Sequence, residues 1–199
     1  MSDVDPAWVG NALASYAESW LGVKEVTSNR GPEVDFFVRI AGGRPESKPP
    51  WCAYFVTFCC DQLRRTGLEL HPVRTGRAVN HWLKADEDRR IARDDIWDFP
   101  DARGLIYVRT RTSKPVGEAD KVRRGISRNG HVGIVSSIDK ESGTIIGCAG
   151  NSSGAGHSAG SGAVCEEVIE RGGRAWDRIV GFVSVVDVLP REDHEAICI

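Results

Sequence analysis

Two kinds of hydrophobic spacing divide the chain. Over residues 6–22, Trp8, Val9, Leu13, Tyr16, Ala17, Trp20 and Leu21 recur at the intervals of one helical face, with Pro6 suited to the opening turn and Gly22 to the end. VDFFVRIAG predicts a short second helix closed by Gly42 and Gly43. Residues 52–66 put Cys52, Phe55, Val56, Cys59, Cys60 and Leu63 on one side of a strongly amphipathic helix that Gly67 stops. A further short helix around Ala78–Leu83 carries Trp82, and the charged stretch DEDRRIARDD reads as solvated surface. From about residue 104 the period shortens. GLIYVRT, HVGIVSSID, GTIIGCAG, AVCEEVIE and IVGFVSVV are rich in Val and Ile and separated by Gly/Ser turns. Helices first and strands after predict an α+β fold, its N-terminal helices packed on a mostly antiparallel sheet of about five strands.

Composition narrows the class. The 199 residues suit a single domain over 1–199, long enough to bury a core without metal or disulfide staples. Lys and Arg total 26 against 28 Asp and Glu, so nothing in the charge balance favours nucleic acid. The six cysteines (52, 59, 60, 148, 165 and 198) include no CxxC pair, which leaves zinc without spacing support; no metal or cofactor is expected. The longest apolar runs, such as AYFVTFCC, fall short of the ~20 residues a bilayer span needs, so no membrane insertion is expected. The opening MSDVDPAWVG carries two aspartates and no basic residue before Lys24, the wrong pattern for a secretory signal. The expectation is synthesis in the cytoplasm. Two connections are long: the basic segment 110–130 and the small-residue segment 150–163, each read as a surface loop or a functional one. The tail 190–199 completes the chain.

Three residues could carry chemistry. Cys52 follows PPW and opens a helix, where unpaired N–H groups favour a thiolate; the alternative is a buried structural cysteine. His131, in NGHVGIV, heads an apolar strand and titrates near neutrality, as the base for a thiol must; the alternative is a surface histidine at a strand end. Asn151 directly follows the strand TIIGCAG. If the strands over 131–139 and 144–150 pair, it shares a sheet edge with His131 and can accept the second ring N–H; the alternative is a turn asparagine. His71, His81, His157 and His194 make weaker claims. GAGHSAG fails the spacing of a nucleotide-binding loop.

Taken together, PPWCAYFVTFCC, GHVGIV and TIIGCAGNSS resemble the CHAP family of cysteine amidases and peptidases, relatives of the NlpC-type cell-wall hydrolases with a papain-like fold. The upstream LGVKEVTSNRGPEVDFFVRIAGG is similar to the element that precedes the PWC motif there, so the resemblance runs from about residue 12 to 185. It implies Cys52 as nucleophile, His131 as base and Asn151 as the orienting residue. Trp51, Glu25 and Asn29 become substrate-binding positions, with turn capping the alternative for Glu25 and Asn29. The implied substrate is peptidoglycan, cut at the N-acetylmuramoyl–L-alanine amide or within the stem peptide. An endolysin or a secreted antibacterial effector fits, acting in the periplasm or cell wall. A non-catalytic binding module and a hydrolase of another amide stay open. The chain departs from the family in ARGLIYVRTR, where a Gly-Asp-Ile-type strand is usual, and in its expanded 110–130 segment. That segment is a candidate contact for anionic polymer or an acidic inhibitor (immunity) protein. In an oxidising compartment Cys148 and Cys165 are candidates for a disulfide.

Overall fold

The computed structural model describes residues 5–111, 118–124, 130–153 and 162–187. Helix α1 (Pro6–Glu18) starts at Asp5, whose carboxylate accepts the Ala7 N–H at 2.9 Å. It ends earlier than its hydrophobic spacing predicts: Ser19 closes it, and Trp20 packs from the following turn edge-on to Phe37 and Phe58. Helix α2 (Pro32–Ile40) and helix α3 (Cys52–Arg65) follow, then the short α4 (Asn80–Leu83). Strand β1 (Arg90–Ala92) precedes β2 (Ile106–Thr110), and α5 (Glu118–Arg123) lies before β3 (Gly130–Asp139). Strands β4 (Thr144–Ser152), β5 (Ala163–Glu170) and β6 (Ile179–Val183) complete the described elements.

The fold is α+β, with a six-stranded antiparallel sheet in the order β1-β6-β2-β3-β4-β5. Strand alternation sorts its side chains. Val108, Val132 and Ile134 join Leu13, Phe37, Phe55 and Phe58 in a core between sheet and helices. Tyr107, Val135 and Phe182 belong to a second core closed by the tilted ring pair Trp97 and Trp176. The helix-then-strand order is as the periodicity predicts, with two differences. DEDRRIARDD is not simply solvated: it contributes β1, and Ile91 and the following Ile96 and Trp97 are buried in the second core. The alternating charges around those few apolar residues hide them from any periodicity count. The basic 110–130 segment likewise contains α5, whose Ala119 and Val122 are buried. Among the described residues, no helix is long and apolar enough to cross a membrane.

Helix α3 lies against β3 and β4. Ile134 pairs with Cys148 in an antiparallel register, so the start of β3 meets the end of β4 beside the first turn of α3. This arrangement brings distant parts of the chain to one point.

Candidate active site

Cys52 is the first residue of α3 and is 3% exposed. The first main-chain bond into this helix end is Phe55 N–H to Trp51 C=O; among the described residues, the N–H groups of Cys52, Ala53 and Tyr54 have no main-chain acceptor. The sulfur sits at the positive end of the helix dipole. Burial pushes its pKa up. A hydrogen bond to His131, the His131 and Arg111 charges, and the Val132 N–H outweigh burial and bring the thiol below its ordinary value.

His131 is 1% exposed, the second residue of β3. Burial disfavours its charged form, but the Glu167 carboxylate and the bond to Cys52 reverse this and raise its pKa. Its Nε2 lies 3.0 Å from Glu167 Oε1, and the ring N–H is not aligned on that oxygen, so the contact is chiefly electrostatic. With Nε2 turned to the carboxylate, Nδ1 is left for the thiol proton.

Glu167 was not among the residues singled out from sequence. It is a carboxylate on the inward parity of β5, where Val168 is exposed and Glu167 and Ile169 are buried. Oε2 accepts from Tyr107 Oη at 2.7 Å; Oε1 accepts from Arg109 Nη2 at 2.7 Å and from the Ser152 hydroxyl. Burial alone would raise its pKa. The charges of His131 and Arg109 with these hydrogen bonds hold it well below the usual carboxylate range. Tyr107 reaches Glu167 because Gly133 and Gly147, on the two intervening strands, have no side chains; a Cβ at either would overlap the Tyr107 ring. The glycines of GHVGIV and TIIGCAG thus make room for the group that orients the carboxylate.

Asn151 shares the predicted sheet edge with His131, yet its side chain turns elsewhere. Oriented so that both ends of the amide find partners, its oxygen accepts the Trp51 N–H at 3.1 Å and its nitrogen donates to Glu25 Oε1 at 3.3 Å. The residue against His131 Nε2 is Glu167, not Asn151. The reason is backbone conformation. Asn151 is left-handed (φ 53°) at a register shift between β4 and β5, which points its amide toward the start of α3. Trp51 also departs from its expected role. It is fully buried, packs on Phe37 and donates from Nε1 to Glu25 Oε1 at 2.7 Å, so its ring anchors the helix start and stands behind the cleft wall. Glu25 and Asn29 do line the cleft, and Asn29 is left-handed too (φ 54°).

That cleft has a volume of about 350 Å³ and polar walls: Glu25, Asn29, Arg109, Arg111, His131 and Asn151. A larger, mostly apolar cavity of about 470 Å³, between the start of α1 and residues 99–105, shares no residue with it and has no cysteine or histidine in its walls. In the basic segment, Arg111 turns into the polar cleft, and Arg123 holds the Val180 carbonyl at 2.8 Å and pairs with Asp120. Lys114, Arg128, the segment 154–161 with His157, and the tail with His194 and Cys198 lie outside the described residues. Cys148 and Cys165 are both buried thiols on neighbouring strands. Among the described residues, no group of three Cys, His, Asp or Glu side chains is placed to hold a metal ion.

Comparison with protein-family models, curated proteins and solved structures finds no match to the chain.

Proposed function

We propose that this protein is a cysteine hydrolase of amide bonds, a CHAP-like enzyme on a papain-like fold acting on peptidoglycan. The observation that carries the chemistry is the line Cys52–His131–Glu167, with Tyr107, Arg109 and Ser152 holding the carboxylate. A buried structural cysteine has no use for a histidine whose far side faces a fixed anion. The cell-wall substrate rests on the likeness of the PWC, GHVGIV and upstream segments to that family. Both the muramoyl–alanine amide and a stem-peptide bond are candidates, in the periplasm or wall.

In this reading the Cys52 proton passes to His131 Nδ1, and the thiolate attacks the amide carbonyl. The unpaired N–H groups at the start of α3 receive the oxyanion, within a desolvated site where such donors act strongly. His131 returns its proton to the leaving amine; water, deprotonated by the same imidazole, then releases the acyl group from sulfur. Glu167 steadies the imidazolium throughout, and Asn151, Trp51 and Glu25 fix the position of the helix start.

The test is a peptidoglycan gel with native protein and Cys52→Ala, followed by mass spectrometry of the released fragments. Native protein clears the gel and leaves new termini at one amide class; Cys52→Ala does neither. Clearing by the alanine variant removes the reading.

A further inference from the structure

Arg111 and the Cys52 thiol compete for one lone pair. Arg111 Nη2 lies 3.0 Å from His131 Nδ1 and also donates to the Asn151 carbonyl at 3.0 Å. A guanidinium only donates, so the imidazole nitrogen it faces must be unprotonated. Nδ1 is the same nitrogen that must take the proton from Cys52, since Nε2 is turned to Glu167. While Arg111 stays there, Nδ1 is occupied by a donor and cannot take the Cys52 proton.

The partners of the two cleft arginines differ in kind. Arg109 is committed to a carboxylate, Glu167 Oε1 at 2.7 Å. The hydrogen bonds of Arg111 described above go to neutral acceptors, an imidazole and a peptide carbonyl, although its side chain stands in a polar, solvent-open cleft. A carboxylate entering that cleft would offer Arg111 a paired, charge-assisted acceptor that neither present partner can match.

We infer that Arg111 recognises a carboxylate on the substrate, close to the scissile amide, and that its move onto that carboxylate frees His131 Nδ1 to accept the Cys52 proton. The substrate class is an amide flanked by a free acid, and the acid that is bound also arms the nucleophile. The proton balance is closed: Sγ–H breaks and Nδ1–H forms, with Arg111 exchanging hydrogen-bond partners and transferring no proton. This inference rests on the thiol chemistry proposed above.

Two small alkylating reagents test it without knowledge of the natural substrate. Iodoacetate and iodoacetamide both lose iodide as the Cys52 sulfur bonds their methylene, but only iodoacetate carries a carboxylate. Rates are measured at pH 7 on the folded full-length protein, with Cys52 modification located by peptide mapping. In the native protein iodoacetate reacts faster than iodoacetamide. Arg111→Ala and Arg111→Gln each lower the iodoacetate-to-iodoacetamide ratio about tenfold, the scale of one charge-assisted hydrogen bond, and Arg111→Lys keeps part of the preference. A ratio unchanged by Arg111→Ala and Arg111→Gln overturns the role of Arg111 while leaving the thiol chemistry standing. A native Cys52 inert to both reagents overturns both together.

Discussion

Glu167→Gln isolates the charge that orients His131, with little change of shape. Oε1 faces Arg109, Ser152 and His131, whereas Oε2, among the described residues, accepts from Tyr107 Oη alone. A glutamine can therefore keep its oxygen toward Arg109 and His131 and turn its NH₂ to the tyrosine hydroxyl, which can accept. The fold survives and the anion goes. Removing the anion from a buried charge pair costs about 3 kcal/mol, which predicts a fall of about 100-fold in turnover or in Cys52 alkylation at neutral pH. Stability falls by about 2 kcal/mol, less than for a fully buried pair, because the Arg109 side chain is one-fifth exposed and water can take over part of its solvation. The pH dependence has a definite sign. Burial lowers the His131 pKa and the Glu167 charge raises it, so without that charge the alkaline limb of the alkylation profile moves to lower pH. His131, raised in the folded state, contributes stability below about pH 6.5 that is lost as pH rises through its folded value. Glu167, depressed, contributes above about pH 4.3 and loses that contribution as pH falls. The stability difference between native protein and variant is thus largest between about pH 4.5 and 6.5. Urea unfolding across pH, beside the alkylation profile, measures both. A variant within twofold of native reactivity, with an unmoved alkaline limb, refutes the assignment of Glu167.

Two further outcomes follow from groups around the site. His81 is buried under α3 with its pKa lowered to about 4 by burial, partly offset by the Ala53 carbonyl. The unfolded chain takes up this proton near pH 6.5 and the folded one only near 4, so acidification across that range removes about 3 kcal/mol of stability. His81→Phe flattens that part of the urea-unfolding curve against pH; an equally steep fall in the variant contradicts the prediction. Gly147→Ala puts a Cβ into the Tyr107 ring, with an overpacking cost of about 1–3 kcal/mol and loss of the Tyr107 hold on Glu167. It lowers both melting temperature and Cys52 reactivity more than Tyr107→Phe, which removes one hydrogen bond and no space; the reverse order in thermal melts and alkylation rates would count against the trough described for Tyr107.

The sequence alone determined what depends on neighbours along the chain. The 3.6-residue spacing marks α3 and the face it buries, the PPW turn sets Cys52 at a helix start, and GHVGIV reads as a strand headed by a histidine. These follow from local sterics and from one-sided burial, which leave a periodic trace. Strand order leaves none. That β5 lies beside β4, that Glu167 falls on its inward parity, and that Tyr107 crosses two glycines to reach it are consequences of pairing between segments about 60 residues apart. Read locally, Glu167 is one of two adjacent acids in AVCEEVIE, and Asn151 looks the better partner for His131 because it follows the neighbouring strand. Only the tertiary structure decided between them: a left-handed turn aims the Asn151 amide at Trp51 and Glu25, while the sheet delivers a fixed carboxylate to Nε2. The same holds for Arg111, one cation among several in a basic stretch until the β2–β3 pairing sets it beside the imidazole.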